Sequence, residues 1–141
     1  MKDLTRLSEY STDEINYILD LAESCRKGEH DNECEGKIVA NCFFEASTRT
    51  QYSFNTAELK LGCKVISFNP GSSSIQKGES FYDTVKTFDS FGIDAIVIRD
   101  RQNEYYKELL GHIDCRLLNA GDGTKDHPTQ SLLDLMTIRQ E

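Results

Sequence analysis

Phe43 to Gly62, FFEASTRTQYSFNTAELKLG, decides how the chain is read. It begins at the end of the apolar run Ile38 to Phe44 and passes through Glu45-Ala46-Ser47-Thr48-Arg49-Thr50. A helical pattern on Phe54, Ala57 and Leu61 then takes over and stops at Gly62. The stretch predicts strand, turn, helix. The first amides of a helix lack partners within it and sit at the positive end of its dipole, so hydroxyls and a cation gathered there suit a phosphate. An ordinary capped start would account for Ser47 and Thr48, because hydroxyls are the usual N-caps. It does not account for Arg49, whose guanidinium would face the orphan amides unless an anion lay between them.

Outward from that turn, apolar and amphipathic runs alternate. Upstream, Ser11 with Glu14 three residues later is a capping box, and Ile15, Ile18, Leu19, Ala22 and Cys25 follow at helical spacing to Gly28. The polar run Glu29 to Gly36 reads as a loop, and His30 in it is an exposed histidine without a recognisable partner. Lys37 to Phe44 is near-continuously apolar, as suits a strand covered on both faces. Downstream, Lys64 to Phe68 is a second strand and Asn69 to Ser74 breaks regular structure. Ser80 with Asp83 opens a helix on Phe81, Thr84, Val85 and Phe88 that reaches Gly92. Ala95 to Ile98 is a third strand ended by Arg99 and Asp100. Tyr105 to Leu110 suggests a short helix and Arg116 to Asn119 a fourth strand. Pro128, well placed at a first helical position, starts a last helix through Leu132, Leu133 and Met136.

Strands alternating with helices predict an α/β fold: a parallel four-stranded sheet with helices on both faces. Ligands of such sheets lie beyond the carboxyl ends of the strands. Four segments fall there: Glu45 to Thr50, Asn69 to Gly78, Arg99 to Arg101 and Ala120 to His127. Each offers something to a phosphorylated carbonyl compound. Ser47, Thr48, Arg49 and Thr50 form the helix-start nest, Lys77 is a flexible point charge beside Gly78, and Arg99 is a cation at a strand end. His127 can donate to a carbonyl oxygen, and Gln130, one helical turn later, can accept from an amide. Singly, Lys77 reads as surface, Arg99 as half an ion pair and His127 as a cap; together they read as a site.

The 141 residues suit one domain with a real core. A hydrophobic content of 38% with 28% charged residues describes a soluble globular chain, and no run approaches the roughly 20 apolar residues of a membrane span. No apolar leader opens the sequence, and the five cysteines form no C-x-x-C pair, so reduced thiols, a cytoplasmic location and no zinc site are expected. A net charge of -8 without a Lys/Arg cluster argues against nucleic acid and anionic membranes as partners, leaving a pocket with a few local cations to capture an anion.

FFEASTRT, SSIQKGES, AIVIRD and NAGDGTKDHPTQSLLDLMTI, in this order, resemble the amino-terminal, carbamoyl-phosphate-binding half of the aspartate carbamoyltransferases, across essentially all of residues 1–141. Lys-Gly-Glu followed by Asp83-Thr84, and Ala-Gly-Asp-Gly ahead of His-Pro-Thr-Gln, favour the aspartate type over the ornithine type. The family commonly carries a second arginine directly after Ser-Thr-Arg-Thr; here Gln51 stands there, and whichever ion pair that arginine makes is in question. The resemblance implies that Ser47, Thr48, Arg49, Thr50 and Arg99 hold the phosphate, that Arg49, Thr50 and His127 polarise the carbonyl as catalytic groups, and that Gln130 holds the carbamoyl amino group. It further implies a homotrimer with shared sites, with or without regulatory chains, in which Ser73 and Lys77 reach into the neighbouring subunit's site; the run Ser72-Ser73-Ser74 leaves open which serine does so. Glu45 is similar to a family residue that contacts a following domain on closure. No metal and no organic cofactor is implied. L-aspartate would be gripped by a second domain, which the resemblance places after Glu141, so these residues are expected to bind without turning over. An ornithine-type transcarbamylase and a non-catalytic assembly module are the competing readings.

Overall fold

The computed structural model describes residues 3–70 and 80–140. Its strands are β1 (Ile38–Phe43), β2 (Lys64–Phe68), β3 (Ala95–Asp100) and β4 (Arg116–Asp122), and its helices α1 (Thr12–Arg26), α2 (Thr48–Lys60), α3 (Phe81–Ser90) and α4 (Pro128–Gln140). All strand pairs are parallel, in the order β2-β1-β3-β4. The chain leaves β1 toward β2 on one side, then returns past β1 to β3 and β4 on the other. The order therefore reverses between β1 and β3, and at such a reversal the connections diverge and open a crevice beyond the strand ends.

Side chains alternate along the central strands and so divide the core in two. Ala40, Cys42, Ile96 and Ile98 face one way, into a cluster with Val85 of α3, Leu109 and the rings of Tyr105 and Tyr106. Val39, Phe43, Val97 and Ala120 face the other way, toward Phe54 of α2 and Leu61 just past its end. Both faces of the sheet are thus covered, as the apolar run in β1 requires; β1 is buried from Val39 to Phe43. On the α2 side, α4 meets β4 and α1 packs on α4.

Helix starts follow their capping chemistry. Ser11 Oγ accepts from the Glu14 amide at 3.1 Å while Glu14 Oε1 accepts from the Ser11 amide at 2.9 Å, a complete capping box. Ser80 Oγ accepts from the Asp83 amide at 3.0 Å.

Four sequence expectations are corrected. Tyr105 to Leu110 is no α-helix but a 3-10 turn over Tyr105–Glu108, entered through Glu104 at φ 56°. Its two tyrosines, 0% and 1% exposed, plug the core rather than pattern a helix face. β4 continues past Asn119 to Asp122, because Gly121 is accommodated within the strand instead of ending it. Leu4, assigned to no element by its sequence, lies parallel to β4: its amide donates to Leu117 O at 2.9 Å and its carbonyl accepts from Asn119 N at 2.8 Å, shielding that sheet edge. His30 is half-buried and does have a partner, Glu33 one helical step away.

One buried group stands out. Glu58, on the sheet-facing side of α2, is 7% exposed, and its Oε1 accepts from Asn41 Nδ2 of β1 at 2.6 Å. Burial pushes its carboxyl up to about 7, against a smaller lowering by the Asn41 hydrogen bond. A folded-state value above the unfolded one means that the native state resists losing this proton. The resulting cost is absent below about pH 4.5, grows as pH rises, and is complete above about 7. Glu58→Gln keeps the carbonyl acceptor without the charge. It should melt close to the unmodified chain near pH 5 but be more stable by about 2 kcal/mol near pH 8, after allowance for solvent screening. Thermal denaturation across that range checks this; a Glu58→Gln difference that does not grow with pH contradicts it.

Candidate functional site

The register of the sheet brings the first two site segments together. Phe43 pairs with Arg99, and the Arg99 carbonyl accepts from the Phe44 amide at 2.9 Å and the Glu45 amide at 3.4 Å. The chain leaving β1 is thereby tied to the end of β3 before it turns into α2.

At that turn α2 behaves unlike α1 and α3. Ser47 occupies the N-cap at φ -156° and ψ 89°, and its hydroxyl makes no capping bond. Gln51 provides the first helical amide to find a carbonyl, that of Ser47 at 2.9 Å. The amides of Thr48, Arg49 and Thr50 precede it with no protein partner among the described residues. Arg49 is exposed and Thr50 half-buried at the mouth of a cleft of about 310 Å³. The cleft runs between α1, α2 and α4. Arg49, Thr50, His127 and Gln130 line its polar end, and Ile18, Phe54, Leu132, Leu133 and Met136 its apolar walls. Four of the sequence-predicted residues therefore share one cavity. A second cleft, between the C-terminal turns of α1 and α4, lies away from the strand ends, and its Arg26 and Arg139 are already paired with Glu23 and Asp20.

Arg99 stands beside this group on β3. Its Nη1 donates to the Ala120 carbonyl at 3.0 Å, and its Nε lies 3.3 Å from Glu45 Oε1. The second contact is at ion-pair distance but lacks hydrogen-bond geometry, so Nε is left without a hydrogen-bond acceptor. Glu45 is thus held by Arg99 within this chain. The guanidinium lies against Gly121: a Cβ at that position, whose φ is 129°, would sit 2.6 Å from Arg99 Nη1. Glycine is required there for the arginine to reach the strand end.

His127 precedes Pro128, the first residue of α4, and its carbonyl receives the Ser131 amide at 3.1 Å. Burial lowers its pKa below the ordinary 6.5; Arg99 lowers it further, while Asp122 opposes the shift. The ring is therefore neutral at pH 7. Its Nδ1 lies 3.4 Å from Thr129 Oγ1. If that nitrogen accepts from the threonine, the tautomer carries its proton on Nε2, free to donate into the cleft. Gln130 directs its amide nitrogen to Asp134 Oδ1 at 3.2 Å, which leaves its carbonyl oxygen as an acceptor. Gln51, in place of the family's second arginine, donates from Nε2 to Asn69 Oδ1 at 3.3 Å and so joins α2 to the end of β2. Ser73 and Lys77 lie outside the described residues.

Sequence reasoning missed Thr129 and the scaffold beneath the 120–127 segment. Asn119, fully buried, donates from Nδ2 to Thr5 O at 2.9 Å and Asp122 Oδ1 at 2.8 Å. Its Oδ1 accepts from the Gly121 amide at 2.9 Å and the Tyr105 hydroxyl at 3.0 Å. Asp122 Oδ2 accepts from the Glu104 amide at 2.7 Å and Oδ1 from the Asp126 amide at 3.1 Å. Burial raises the Asp122 pKa, against these hydrogen bonds. Asn-x-x-Asp at a strand end is the signal that would have marked this network. Among the described residues no group of three or more His, Cys, Asp or Glu is placed to hold a metal ion, and no helix is long and apolar enough to cross a membrane.

Comparison with known proteins agrees with this arrangement. The chain is 49% identical, over all of its 141 residues, to the aspartate carbamoyltransferase catalytic subunit of Staphylococcus carnosus, of which it spans 46%. The structure of Trypanosoma cruzi aspartate transcarbamoylase in complex with carbamoyl aspartate and phosphate superposes with a TM-score of 0.92 at 38% identity, covering 99% of this chain and 46% of that one. The catalytic subunit of M. jannaschii aspartate transcarbamoylase superposes with a TM-score of 0.87 at 38% identity, over 99% of this chain and 47% of that one. The chain thus spans about half the length of the relatives it matches. The family defined by the aspartate/ornithine carbamoyltransferase carbamoyl-P binding domain matches residues 2–140, and the chain belongs to it.

Proposed function

We propose that these residues are the carbamoyl-phosphate-binding half of an aspartate carbamoyltransferase, which moves a carbamoyl group from carbamoyl phosphate to the amine of L-aspartate in pyrimidine biosynthesis. The products are N-carbamoyl-L-aspartate and phosphate. The observation that carries this reading is the start of α2, where Ser47 makes no capping bond and three amides meet Arg49 without a protein partner among the described residues. The names of the relatives favour aspartate over ornithine as the acceptor.

In this reading the phosphate sits on the Thr48–Thr50 amides, with the hydroxyls of Ser47, Thr48 and Thr50 and the guanidinium groups of Arg49 and Arg99 around its oxygens. The carbonyl oxygen of the carbamoyl group lies among Arg49, Thr50 and the Nε2 proton of His127. Gln130 accepts from the carbamoyl amino group. When the aspartate amine attacks the carbonyl carbon, the C=O electrons move onto oxygen, and those donors stabilise the tetrahedral oxyanion. Collapse re-forms C=O and breaks the bond to phosphate, and the attacking nitrogen gives its proton to the departing phosphate. The chain's part is orientation and electrostatics, with no covalent intermediate. Aspartate is gripped by a second domain. The assembly is a cytoplasmic homotrimer in which Ser73 and Lys77 complete a neighbour's site; whether regulatory chains join it is left open.

Arg49→Ala should remove a charge-assisted contact of about 1.5 to 3 kcal/mol and weaken the binding of inorganic phosphate at least about tenfold. Calorimetric titration of both chains tests this, and an unchanged phosphate affinity would falsify the reading.

His127 supplies a pH signature. Its folded-state pKa is lowered, so the unfolded chain takes up this proton first as pH falls. Stability should therefore decline below about pH 6.5 by the contribution of this group, and His127→Gln should remove that part of the decline while leaving stability near pH 8 almost unaltered. Melting temperatures of the two chains from pH 8 down to about pH 5 decide it; parallel curves would show that the ring is not held neutral.

A further inference from the structure

α2 carries the proposed phosphate-binding turn, yet apolar packing holds it only in part. Of its thirteen residues only Glu58 is buried, while Tyr52 and Leu59 on its other faces are 65% and 63% exposed. Phe54, half-buried, reaches the core cluster of Val39, Phe43 and Val97, and Leu61 joins it from just past the helix end. A further tie, besides that of Gln51 to Asn69, is polar and directional. Asn41, fully buried in β1, donates from one amide nitrogen to Glu58 Oε1 at 2.6 Å and to Asn55 Oδ1 at 2.5 Å. Asn55 and Glu58 are one helical turn apart and so share a face. Asn41 falls between Val39 and Phe43 on the side of β1 that faces them.

The tie has a particular place in the fold. β1 ends at Phe43 and α2 begins at Thr48, so strand, turn and helix form two arms with the uncapped turn at their apex. Asn41 joins the arms through Asn55 and Glu58, in the second half of α2. One arm is fixed by the sheet on both sides. The angle of the other, and with it the direction of the apex amides relative to Arg99, depends on what joins the two. Apolar contact is non-directional, whereas a hydrogen bond weakens steeply when its angle is wrong. The cluster is also costly for mere packing: Glu58 Oε2 and Asn41 Oδ1 are buried without partners among the described residues.

We propose that Glu58 is a positioning residue for the phosphate-binding turn: by holding Asn41, together with Asn55, it sets the angle between β1 and α2 and hence where Arg49 and the Thr48–Thr50 amides stand. The proposal rests on the reading of that turn as the phosphate site. Glu58 touches no substrate; it acts through the helix.

The test titrates inorganic phosphate into the 141-residue chain and its Glu58→Gln, Glu58→Leu, Asn55→Ala and Arg49→Ala variants, well below each melting temperature. Glu58→Gln keeps the acceptor for Asn41 and should bind phosphate within about twofold of the unmodified chain. Glu58→Leu should weaken phosphate binding about fivefold or more while circular dichroism shows it folded. Asn55→Ala removes one arm of the tie and should weaken binding about two- to threefold, which decides the matter if the leucine variant does not fold. A purely structural role would lower the melting temperature and leave phosphate affinity alone; that result, in Glu58→Leu or in Asn55→Ala when leucine is not tolerated, overturns the positioning role. Failure of the underlying reading looks different. If the unmodified chain does not bind phosphate, or Arg49→Ala binds it equally well, the turn is not the phosphate site and the positioning role falls with it. If Arg49→Ala loses binding while the Glu58 and Asn55 variants keep it, the positioning role falls alone.

Discussion

Three amides at the start of α2 have no carbonyl or side chain to receive them among the described residues, and the proposed phosphate site depends on that arrangement. Any helix start presents such donors, and this chain caps two others with serine in the usual way. At Ser47 the same residue type is turned away. What remains is a partial positive charge with a guanidinium beside it, in a chain whose net charge is -8. Topology makes the location effective: the sheet reverses its order between β1 and β3, so the uncapped turn and Arg99 stand at the ends of neighbouring strands.

The polar groups buried beneath the site are of two kinds. Around β4, Asn119 uses its amide nitrogen twice and its oxygen twice, and both oxygens of Asp122 are occupied. Such a network is stiff, because no member can move without leaving another unsatisfied. It suits the segment that carries Gly121, on which Arg99 lies, and His127. Under α2 the cluster is incomplete, with one oxygen of Glu58 and one of Asn41 unpaired among the described residues. The two halves of the candidate site therefore rest on polar supports satisfied to different degrees.

Much of this was readable from local sequence. Lys64 to Phe68 and the start of α4 at Pro128 fell where expected, and the starts of α1 and α3 followed their Ser-x-x-Glu and Ser-x-x-Asp signals, because each is fixed by residues within one or two turns. The failures share a cause. Tyr105 and Tyr106 are spaced as if on a helix, but their position is set by the core they fill and by the Asp122 carboxylate that takes the Glu104 amide eighteen residues away. Leu4 pairs with residues more than a hundred positions distant, which no local pattern announces. Of the candidate site, Arg49, Thr50, His127 and Gln130 were singled out from residue type and placement at strand ends, and one cleft brings them together. Thr129 and Glu58 were not, since a threonine in a first helical turn and a glutamate at helical spacing have ordinary explanations until their neighbours are seen.

The neutral state of His127 bears on how the proposed reaction could turn over. A cationic ring beside Arg49 and Arg99 would strengthen the hold on every anion in the cleft, the phosphate product included. Binding that is equally strong before, during and after the reaction does not accelerate it. A neutral imidazole with its proton on Nε2 is different: it offers little to a phosphate already surrounded by guanidinium groups and amides, and more to a carbonyl oxygen as negative charge gathers there. Burial and the field of Arg99 together favour that neutrality, so that in the proposed site Arg99 would serve both the phosphate and the state of the histidine. In the proposed site the crevice would therefore hold phosphate with fixed charge while keeping an uncharged donor for the oxygen whose charge develops only in the transition state.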